Sequence, residues 1–580
     1  MGVSPAVFES GGKRTEHYVP GSYSRSFNIS SPSGISAGNL CILGKSTGGK
    51  PFELLEFGSV ADAKEALVGG ELLDAVGFAF AASNDFIPQR VNVMRVNNGT
   101  QATLMLKNGD TDNLKVKAWD YGVHTNQLQM LVADGTQPNT KKVTLSYKDK
   151  SETVDNIGKK VFSLIYFGDG QNPTVTINAN SMVLAAESIP EGEEPSETID
   201  QGNISFTDFD TMDALIAKIN NSGVYQATLI DVNTTLKTNQ LDTISSVPIT
   251  DEGLTIYANY NEFKKTLESM SLVGEVEVES TDSRVVPENT DAFVYFTGGT
   301  SGDYTLNEWS TALESLETKD IQILATPSTE QTVHSLISNH CTSMSSTVNR
   351  KERTAILGGS VGMSDDAAIT EAQGINNKLI SFVPDNALAF NQISGENETI
   401  SGAMIGCMLA GMESAMSPNT PLTFKTLNVL GFSKVRTITN LEKLIKAGLM
   451  VCSPNPENLT SYICIRAMTT YQSDDLINNE RSMVREDLFM NRDLRQRFVP
   501  PIGGTQLTIN EIIQTLKDAA KDWNTNGYIV PTDDNENVWD IKIRIDGDKR
   551  YLTFSRYLTA PVNFVFITAV NHIYTSTMEM

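Results

Sequence analysis

The sequence predicts a multidomain protein of mixed α/β and α+β class, and three observations lead to this fold class. The chain has 580 residues, more than one hydrophobic core usually holds, since about 150 residues is a common domain size. After residue 290 helix and strand patterns alternate, which is typical of a mainly parallel sheet covered on both faces. Between residues 100 and 290 Thr, Asn, Asp and Val prevail among frequent turn signals, which favours short β-strands.

Charge and cysteine content argue against several classes of protein. The formal net charge is −25, from 45 Lys and Arg against 70 Asp and Glu, so nucleic acid is not an expected partner. The acidity suits either solubility at high concentration or a specific acidic docking face. The five cysteines are widely spaced without a Cys-x-x-Cys pair, so we expect reduced, mostly buried thiols. Neither a signal peptide nor a membrane span is indicated, which predicts synthesis in a cytoplasm and no membrane insertion.

The first hundred residues predict an arm followed by a βα unit. Residues 1–27 carry scattered aromatics without a sustained period, so this arm is either disordered or ordered by adding to the sheet of a neighbour. The range 28–100 contains a short apolar strand at Leu40 to Gly44, a capping-box pattern at Ser59 and an alternating strand at Arg90 to Val96. The order strand, helices, strand begins the core of the protein.

The range 101–290 predicts one or two β-rich insertions. A stretch from Glu187 to Gln201 is acidic, contains two prolines and has almost no apolar residue after Ile189. Such a composition cannot bury a face, so we expect a solvated loop near 187–202 and an internal boundary there.

The range 291–453 predicts an α/β domain, and 454–573 predicts a small α+β domain before a tail at 574–580. The strands expected in the α/β domain are 293–296, 321–325, 353–357 and 379–383, and the helices pass through 309–316, 331–348, 365–377 and 400–415. The α+β domain should hold a charged helix from Asp474 to Phe498, a helix opened by a capping box at Thr508 to Glu511, and strands at 539–546 and 562–573.

Three candidate chemical sites are weak. The loop Gly298 to Gly302 stands between a strand and a helix but lacks the Lys of a phosphate-binding loop, so a glycine-permitted turn is the better interpretation. His334, His340 and Cys341 are close in sequence without further zinc ligands, which favours an ordinary helix surface. Asp365 and Asp366 suit a helix N-terminus.

Nucleophilic catalysis is also not supported. Ser360 follows two glycines and Ser401 opens an apolar helix, but a serine nucleophile needs a positioned base and a group that orients it. The few histidines offer no flanking signature for either serine. We therefore expect no enzyme activity, no catalytic or metal-binding residue and no cofactor.

Several patterns resemble the contractile phage tail sheath family, in the order in which that family has them. Pro20 to Tyr23 is similar to its Pro-Gly-Val-Tyr element, Arg90 to Val96 to its strand ending in Arg-Val, and Ala118 to Gly122 to the start of its β-sandwich insertion. The glycine loop from Phe296 to Gly302, with its following helix and strand, resembles the family most strongly. Further matches continue at 400–415, which resembles a helix of the family, at 418–430, which resembles the strand after it, and at 441–451 and 463–469, so the resemblance covers about 1–130 and 290–580.

The resemblance implies a subtilisin-like α/β middle domain without protease activity, a β-sandwich insertion directed outward, a small α+β domain facing a tail tube, and extended terminal arms. In the family, these arms join the sheets of neighbouring subunits while the sheath contracts. The candidate arm residues here are Val19, Pro20, Gly21, Tyr23, Phe27, Val562, Phe564 and Phe566, and the candidate tube-facing residues are Glu511, Lys517 and Lys521.

The expected function is that of a structural subunit which polymerises around a tail tube and contracts to drive it through a host envelope. The partners implied are other copies of the chain in hexameric rings of a helical lattice, the tail tube protein, and the baseplate and tail terminator proteins. The place implied is the virion tail, assembled in the host cytoplasm. The alternatives are a surface-layer or adhesin protein and, third, a subtilisin-like hydrolase.

Overall fold

The computed structural model describes residues 6–10, 13–17, 38–188, 197–232, 234–280, 282–503 and 507–571. The chain divides into two compact units. The main unit comprises Gly38–Val484 and the residues from Asn563 onward, and the terminal unit comprises Met1–Ala37 and Arg485–Val562.

The N-terminal residues hold more structure than the sequence indicates. Strands β1 (Ala6–Ser10) and β2 (Lys13–His17) pair antiparallel, with Ala6 opposite His17. Residues 1–27 were expected to lack a structure of their own, so this hairpin is a difference from the prediction. A local hairpin needs only backbone pairing and no apolar periodicity, which is why the pattern did not reveal it.

The first part of the main unit is the predicted βα unit. Its elements are β3 (Leu40–Gly44), β4 (Leu54–Phe57), α1 (Val60–Leu67), α2 (Glu71–Ala81) and β5 (Val91–Arg95). The predicted cap is confirmed, because the Ser59 side chain accepts a hydrogen bond from the amide of Asp62. Every residue of β3 and of β5 is buried, so both strands lie inside a sheet covered on both faces.

Two β-rich modules follow, one nested inside the other. The outer module begins with β6 (Thr103–Asn108), β7 (Thr111–Ala118), β8 (Gln129–Asp134), β9 (Lys141–Tyr147) and β10 (Lys150–Ile157). The inner module comprises β11 (Lys160–Tyr166), β12 (Gln171–Ile177), β13 (Ser181–Ser188), β14 (Glu197–Ser205), α3 (Met212–Asn220), β15 (Tyr225–Leu229), β16 (Ile244–Pro248) and β17 (Leu254–Tyr257). The outer module resumes with α4 (Asn259–Ser269), β18 (Val273–Val278) and β19 (Val294–Tyr295).

Each module has its own apolar core between two sheets. In the outer module the sheets β18-β7-β6 and β10-β9-β8-β19 share one core, and in the inner module β15-β11-β17 and β14-β13-β12-β16 share another. Arg284 joins the two modules, since its guanidinium donates to the carbonyls of Leu241, Ala179 and Asn178 at 2.6–3.0 Å. The predicted loop at 187–202 is shorter than expected, because β13 continues to Ser188 and β14 begins at Glu197. The residues between these two strands lie outside the described part.

The chain then returns to the core and completes the main unit. The elements are α5 (Leu306–Leu316), β20 (Ile323–Ala325), α6 (Gln331–Met344), β21 (Thr354–Gly358), α7 (Asp365–Ile375), β22 (Ile380–Val383), β23 (Ala387–Asn391), β24 (Glu396–Ile400), α8 (Gly402–Ser414), β25 (Gly431–Phe432), α9 (Ile438–Lys446), β26 (Val451–Asn455), β27 (Asn458–Arg466) and α10 (Leu476–Asn479).

A six-stranded sheet of order β22-β21-β20-β3-β5-β4 forms the centre of the main unit. Its strands are parallel except β4, which runs antiparallel at one edge. Val383 lies in the core formed with α2 and α8, whereas the preceding residue Phe382 contacts His334 of α6 edge to face. Because successive strand residues point to opposite faces, helices cover this sheet on both sides.

Two predicted strands differ in the structure. Phe293 to Phe296 was expected to open the α/β domain, but Val294 pairs with Met130 of β8 and thus belongs to the outer module. The range 418–430 was expected to be a strand and contains none, apart from an isolated bridge of Thr426 to Ile463. Sequence pattern detects a strand-like segment but not its partner, which is decided by contacts distant in sequence.

Buried ion pairs connect the helices with the sheet. Arg481 forms a bidentate pair with Glu413 of α8, at 2.7 and 2.8 Å, and also donates to the Ala355 carbonyl and to the hydroxyls of Ser381 and Thr354. The side chains of Arg481 and Glu413 are 1% and 2% exposed. A buried pair of this kind holds its geometry only when the remaining donors are satisfied, and here the hydroxyls and the carbonyl satisfy them.

The terminal unit contains two helices and a hairpin. These are α11 (Arg481–Arg497), whose first turn belongs to the main unit, α12 (Ile509–Thr525), β28 (Trp539–Asp546) and β29 (Lys549–Ser555). The helix expected from Asp474 to Phe498 is divided at Glu480 into α10 and α11. The strand expected at 562–573 is absent from its described part, residues 562–571, which has no regular structure.

Replacing Arg481 by Ala should destabilise the main unit by roughly 3–5 kcal/mol, because Glu413 would stay buried without its partner. Thermal unfolding followed by calorimetry would measure the loss. Lys443→Ala is the matched control, since Lys443 pairs with Asp366 at an exposed position, where solvent screens the pair and it adds little stability. Equal losses in the two variants would contradict the assignment of a structural role to the buried pair.

Candidate assembly surfaces

The histidine and cysteine cluster on α6 is buried, so the expectation of an ordinary helix surface was wrong. His334 contacts the Glu371 carboxylate at 2.6 Å and the Ser328 carbonyl at 3.0 Å. His340 contacts the Arg353 guanidinium, and burial together with Arg353 lowers the pKa of His340 to about 4. Its neutral ring therefore accepts from Arg353. Within the described residues, no group of His, Cys, Asp and Glu side chains could hold a metal ion.

The serine and aspartate candidates have local structural roles. Ser401 is the N-cap of α8 and accepts from the amide of Met404 at 3.2 Å. Ser360 is exposed in the turn before α7. The prediction for Asp365 and Asp366 is confirmed, because both lie in the first turn of α7. Asp365 also pairs with the buried guanidinium of Arg436 at 3.0 Å.

The glycine loop Gly298 to Gly302 packs against the beginning of the outer module. Two of its amides already have partners: Gly299 donates to the Asn126 side chain at 2.8 Å and Thr300 to the Thr100 hydroxyl at 3.1 Å. A phosphate cradle requires free amides that point at the ligand. The loop thus serves as the turn that the sequence favoured, and a Cβ at Gly302 would lie 2.3 Å from the backbone of Asn98.

Arg95 joins this loop with the core sheet. Its fully buried guanidinium donates to the carbonyls of Gly49, Asn97, Tyr121 and Ser301 at 2.7–3.1 Å. These carbonyls come from the core, from the end of β5, from the outer module and from the glycine loop. Sequence analysis recognised Arg95 only as part of a family pattern. The available signal was an arginine that ends a strand in which Val91, Val93 and Met94 are apolar, where exposure cannot be assumed.

The apolar stripe of α12 packs inside the terminal unit. The members of this core are Met490, Leu516, Ala519, Ala520, Trp523, Tyr528, Ile529 and Val538, with side chains of β28 and β29 against them. The Trp523 indole donates to Asp493 at 2.7 Å, and Asp493 also accepts from Arg497 at 2.9 Å. The apolar stripe of α12 therefore packs on the strands of the hairpin.

The opposite face of α12 is exposed and carries the three candidate tube-facing residues. Glu511 completes the predicted capping box, since its carboxylate accepts from the Thr508 amide at 2.7 Å. These hydrogen bonds lower the pKa of Glu511. Lys517 lies 3.8 Å from Glu536 across the surface, and Lys521 follows one turn later. The face presents these charges to solvent, and its contact with a tube stays a prediction.

The hairpin of β28 and β29 has two open edges among the described residues, because no third strand pairs with it. Ile543 lies opposite Leu552 in its register. Tyr551 and Ile545 are exposed on it. Open edges present unpaired backbone amides and carbonyls to which another strand can add.

The C-terminal segment is apolar and exposed. Val562, Phe564 and Phe566 expose 84%, 65% and 91% of their surface, and Val565, Ile567 and Val570 are also exposed. Phe564 lies 5.5 Å from the Arg466 guanidinium, and Asn563 donates to Glu480 at 3.2 Å. The five candidate residues of the N-terminal arm, Val19, Pro20, Gly21, Tyr23 and Phe27, lie outside the described residues.

Glu486 is a buried carboxyl group in the terminal unit that the sequence did not single out. Burial raises its pKa to about 8, although the Thr559 amide and Arg556 oppose this shift. Asp487 beside it pairs with Arg556 at 2.7 Å. Glu486 thus stays protonated in the folded protein near neutral pH. No local pattern distinguishes it from its charged neighbours on α11.

Curated relatives of the chain are tail sheath proteins of phages. The tail sheath protein of Bacillus phage SP01 is 25% identical over 551 residues, covering 91% of this chain and 90% of the relative. A putative tail sheath protein of Enterococcus phage phiEF24C is 26% identical, covering 85% and 87%. No model of a known protein family matches the sequence.

A solved structure has the same fold. A sheath tail protein from Listeria innocua matches with a TM-score of 0.55 at 12% identity, covering 90% of this chain and 95% of that one. The resemblance to the tail sheath family that the motifs indicated is therefore confirmed, as is a multidomain mixed fold. Among the described residues, no helix is long and apolar enough to cross a membrane.

Replacing Glu486 by Gln should remove a pH dependence from the terminal unit. The folded-state pKa of about 8 lies above the ordinary 4.5, so wild-type stability is full below pH 4.5 and decreases as the pH rises to 8. Glu486→Gln should keep its stability over this range and melt at a higher temperature than wild type at pH 8. Calorimetry of the full chain between pH 4.5 and 8.5 would measure this.

The control is Glu511→Gln on exposed α12. The lowered pKa of Glu511 keeps its carboxylate ionised from pH 5.5 to 8.5, so any loss on substitution should be constant there. If the melting temperature of Glu486→Gln changes with pH as strongly as that of the wild type, the assignment of the pH dependence to the buried Glu486 carboxyl group is wrong.

Proposed function

We propose that the chain, whose curated relatives are phage tail sheath proteins, is the repeating subunit of a contractile tail sheath in a virion. The subunits polymerise as stacked hexameric rings around a tail tube and contract to drive the tube through the host envelope. The observation that supports strand exchange between subunits is the exposed apolar segment 562–571. The same chain also has a hairpin, β28 and β29, with open edges to which such a segment can add. Each lacks a strand partner within the described part of the chain.

The energetics of strand addition favour assembly over an isolated dimer. A five-residue added strand makes about four hydrogen bonds, each contributing roughly 0.5–1.5 kcal/mol net. Association entropy costs about 4–15 kcal/mol or more, so one such contact does not hold two free subunits together. Repeated around a ring, the same contact becomes intramolecular and its effective concentration rises.

The predicted domains have distinct roles in this proposal. Residues 1–27 and the end after Val562 serve as arms, with 574–580 as the tail. Residues 28–100 and 291–453, without the strand at Val294 that pairs in the outer module, form the core, whose parallel strands and two helical layers support a subtilisin-like arrangement. Residues 101–290 form the outward insertion. Of the predicted domain 454–573, the residues of the terminal unit, Arg485–Val562, form the tube-facing part, whereas β26, β27 and α10 belong to the main unit. In the terminal unit acidic and basic residues are nearly balanced, so the net charge of −25 is carried by the rest of the chain.

Contraction in this proposal uses free energy stored in the lattice and no catalysis. The compact lattice is the more stable one, and the tube, baseplate and terminator proteins hold the extended state kinetically. The capped Ser401, the buried His334 and the occupied amides of the glycine loop support a chain without hydrolase chemistry. The relatives favour this function over a surface-layer or adhesin protein. Assembly takes place in the host cytoplasm, without nucleic acid or membrane contacts.

Negative-stain electron microscopy at high protein concentration tests the arms. The full chain should form tubes or stacked rings, whereas variants lacking residues 1–27 or carrying Phe564→Asp with Phe566→Asp should remain monomers. A charge in the added strand would have to be buried at the subunit contact, which is unfavourable.

The matched control for the arm test is Val348→Asp, because Val348 is 80% exposed outside any proposed contact. It should polymerise like wild type. Polymers from both arm variants would exclude strand exchange, and monomers from the wild type would remove the support for self-assembly.

Reversing two charges on α12 tests the tube-facing face. Lys517→Glu with Lys521→Glu should weaken co-sedimentation with preassembled tail tubes by roughly tenfold, since each reversed charge replaces an attraction by a repulsion. Lys160→Glu with Lys218→Glu makes the same change on the inner module and should bind like wild type. Equal binding by both double variants would assign the tube contact to another surface.

A further inference from the structure

Cys452 and Cys464 form a pair across two strands. They occupy opposite positions in the antiparallel register of β26 and β27. Both side chains are completely buried. The remaining cysteines, all of them described, lie on three separate elements: Cys41 on β3, Cys341 on α6 and Cys407 on α8.

The strand register and the backbone hydrogen bonds around the pair suit a disulfide. The amide of Cys452 donates to Asp385 at 2.6 Å, and that of Cys464 donates to the Lys425 carbonyl at 3.1 Å. Since both amides have partners elsewhere, the two residues form a non-hydrogen-bonded pair. A regular ladder places the Cα atoms of such a pair about 4.5 Å apart, and here the register shifts between Val451 and Cys452. Disulfides span Cα distances of about 4.4–6.8 Å, so a bond needs no large shift of either strand.

We propose that Cys452 and Cys464 are a modification site that closes to a cross-strand disulfide once the protein has left the reducing compartment of its synthesis. The oxidant is a peroxide. One thiolate attacks the peroxide and becomes a sulfenic acid, releasing water after proton transfer. The second sulfur then attacks the sulfenic sulfur and expels a second water. The two thiols lose two electrons and two protons in total, and the peroxide takes them up.

Burial delays this reaction. Contact with Cys464 and burial raise the pKa of the Cys452 thiol, so little thiolate is present while the hairpin is closed. An oxidant gains access when β26 and β27 separate, and the exposed end of the hairpin at Asn458 to Thr460 is where such separation begins. The thiols therefore survive synthesis and assembly in a reducing cytoplasm and oxidise slowly afterwards.

The disulfide would reinforce a network that already holds β26. Asp385, which accepts from the Cys452 amide, pairs with Arg436, and Arg436 also pairs with Asp365 on α7. A covalent link from Cys452 to Cys464 extends this anchor to β27. It also restricts the unfolded chain, so the oxidised protein should unfold at a temperature several degrees higher than the reduced one.

The test uses the purified full chain, kept folded below its unfolding midpoint and exposed to hydrogen peroxide for increasing times. Remaining thiols are then alkylated under denaturing conditions and counted by intact mass spectrometry, and peptide mapping locates the link. We expect two of the five cysteines to resist alkylation, joined as Cys452 to Cys464, and a raised melting temperature that a reducing agent reverses.

Two variants make the result specific. Cys464→Ala should leave Cys452 alkylatable or oxidised to an acid and should show no reversible rise in melting temperature. Cys341→Ala, which removes another buried thiol, should still lose two alkylatable cysteines. Five alkylatable thiols in folded wild type after prolonged exposure, or a link that involves another cysteine, would overturn the proposal. Because wild type carries the primary readout, a variant that fails to fold does not affect the outcome.

Discussion

The architecture of the main unit depends on one buried guanidinium, that of Arg95. Each of its four hydrogen bonds ends on a backbone carbonyl of a different segment. Hydrogen bonds to a charged group contribute about 1.5–3 kcal/mol each, and the desolvation of the cation offsets much of this gain. Burial lowers the pKa of Arg95 to about 10, so the group stays charged at neutral pH. Its main effect is to hold four segments at one point where the insertion meets the core.

Other arginine side chains connect segments of the chain in the same way, by donating to backbone carbonyls. Arg284 holds the inner module by three carbonyls, and Arg353 holds the turn after α5 through the carbonyls of Leu316 and Lys319. A guanidinium suits this task because its donors are fixed in a plane and it does not lose its charge. Space is limited around it: a Cβ at Gly99 would lie 2.1 Å from the Arg95 guanidinium. One arginine can thus hold nested modules together through backbone carbonyls, which every residue type has.

Sequence reasoning succeeded where the signal is local. The fully apolar strand at Leu40, the N-cap at Ser59 and the capping box at Thr508 appear where their patterns indicated. It failed where the location of a residue depends on contacts with residues distant in sequence. Val294 looks like any strand residue, yet its partner Met130 assigns it to another module. His334 lies on a polar-looking helix, and only the packing of Phe382 and Glu371 buries it. Of the proposed assembly surfaces, the pattern located the charged face of α12 but not the open hairpin edges.

The position of β3 also has a consequence for the order of events during synthesis. Cys41 on β3 pairs with Leu324 on β20, and both insertion modules lie between them in the chain. At about 5–20 residues per second, a ribosome needs on the order of 15–60 s to make this intervening segment. The modules, each with its own core, can fold during that time, whereas the central sheet must wait. A nascent chain therefore cannot present its finished core to the growing polymer before its outer parts have formed.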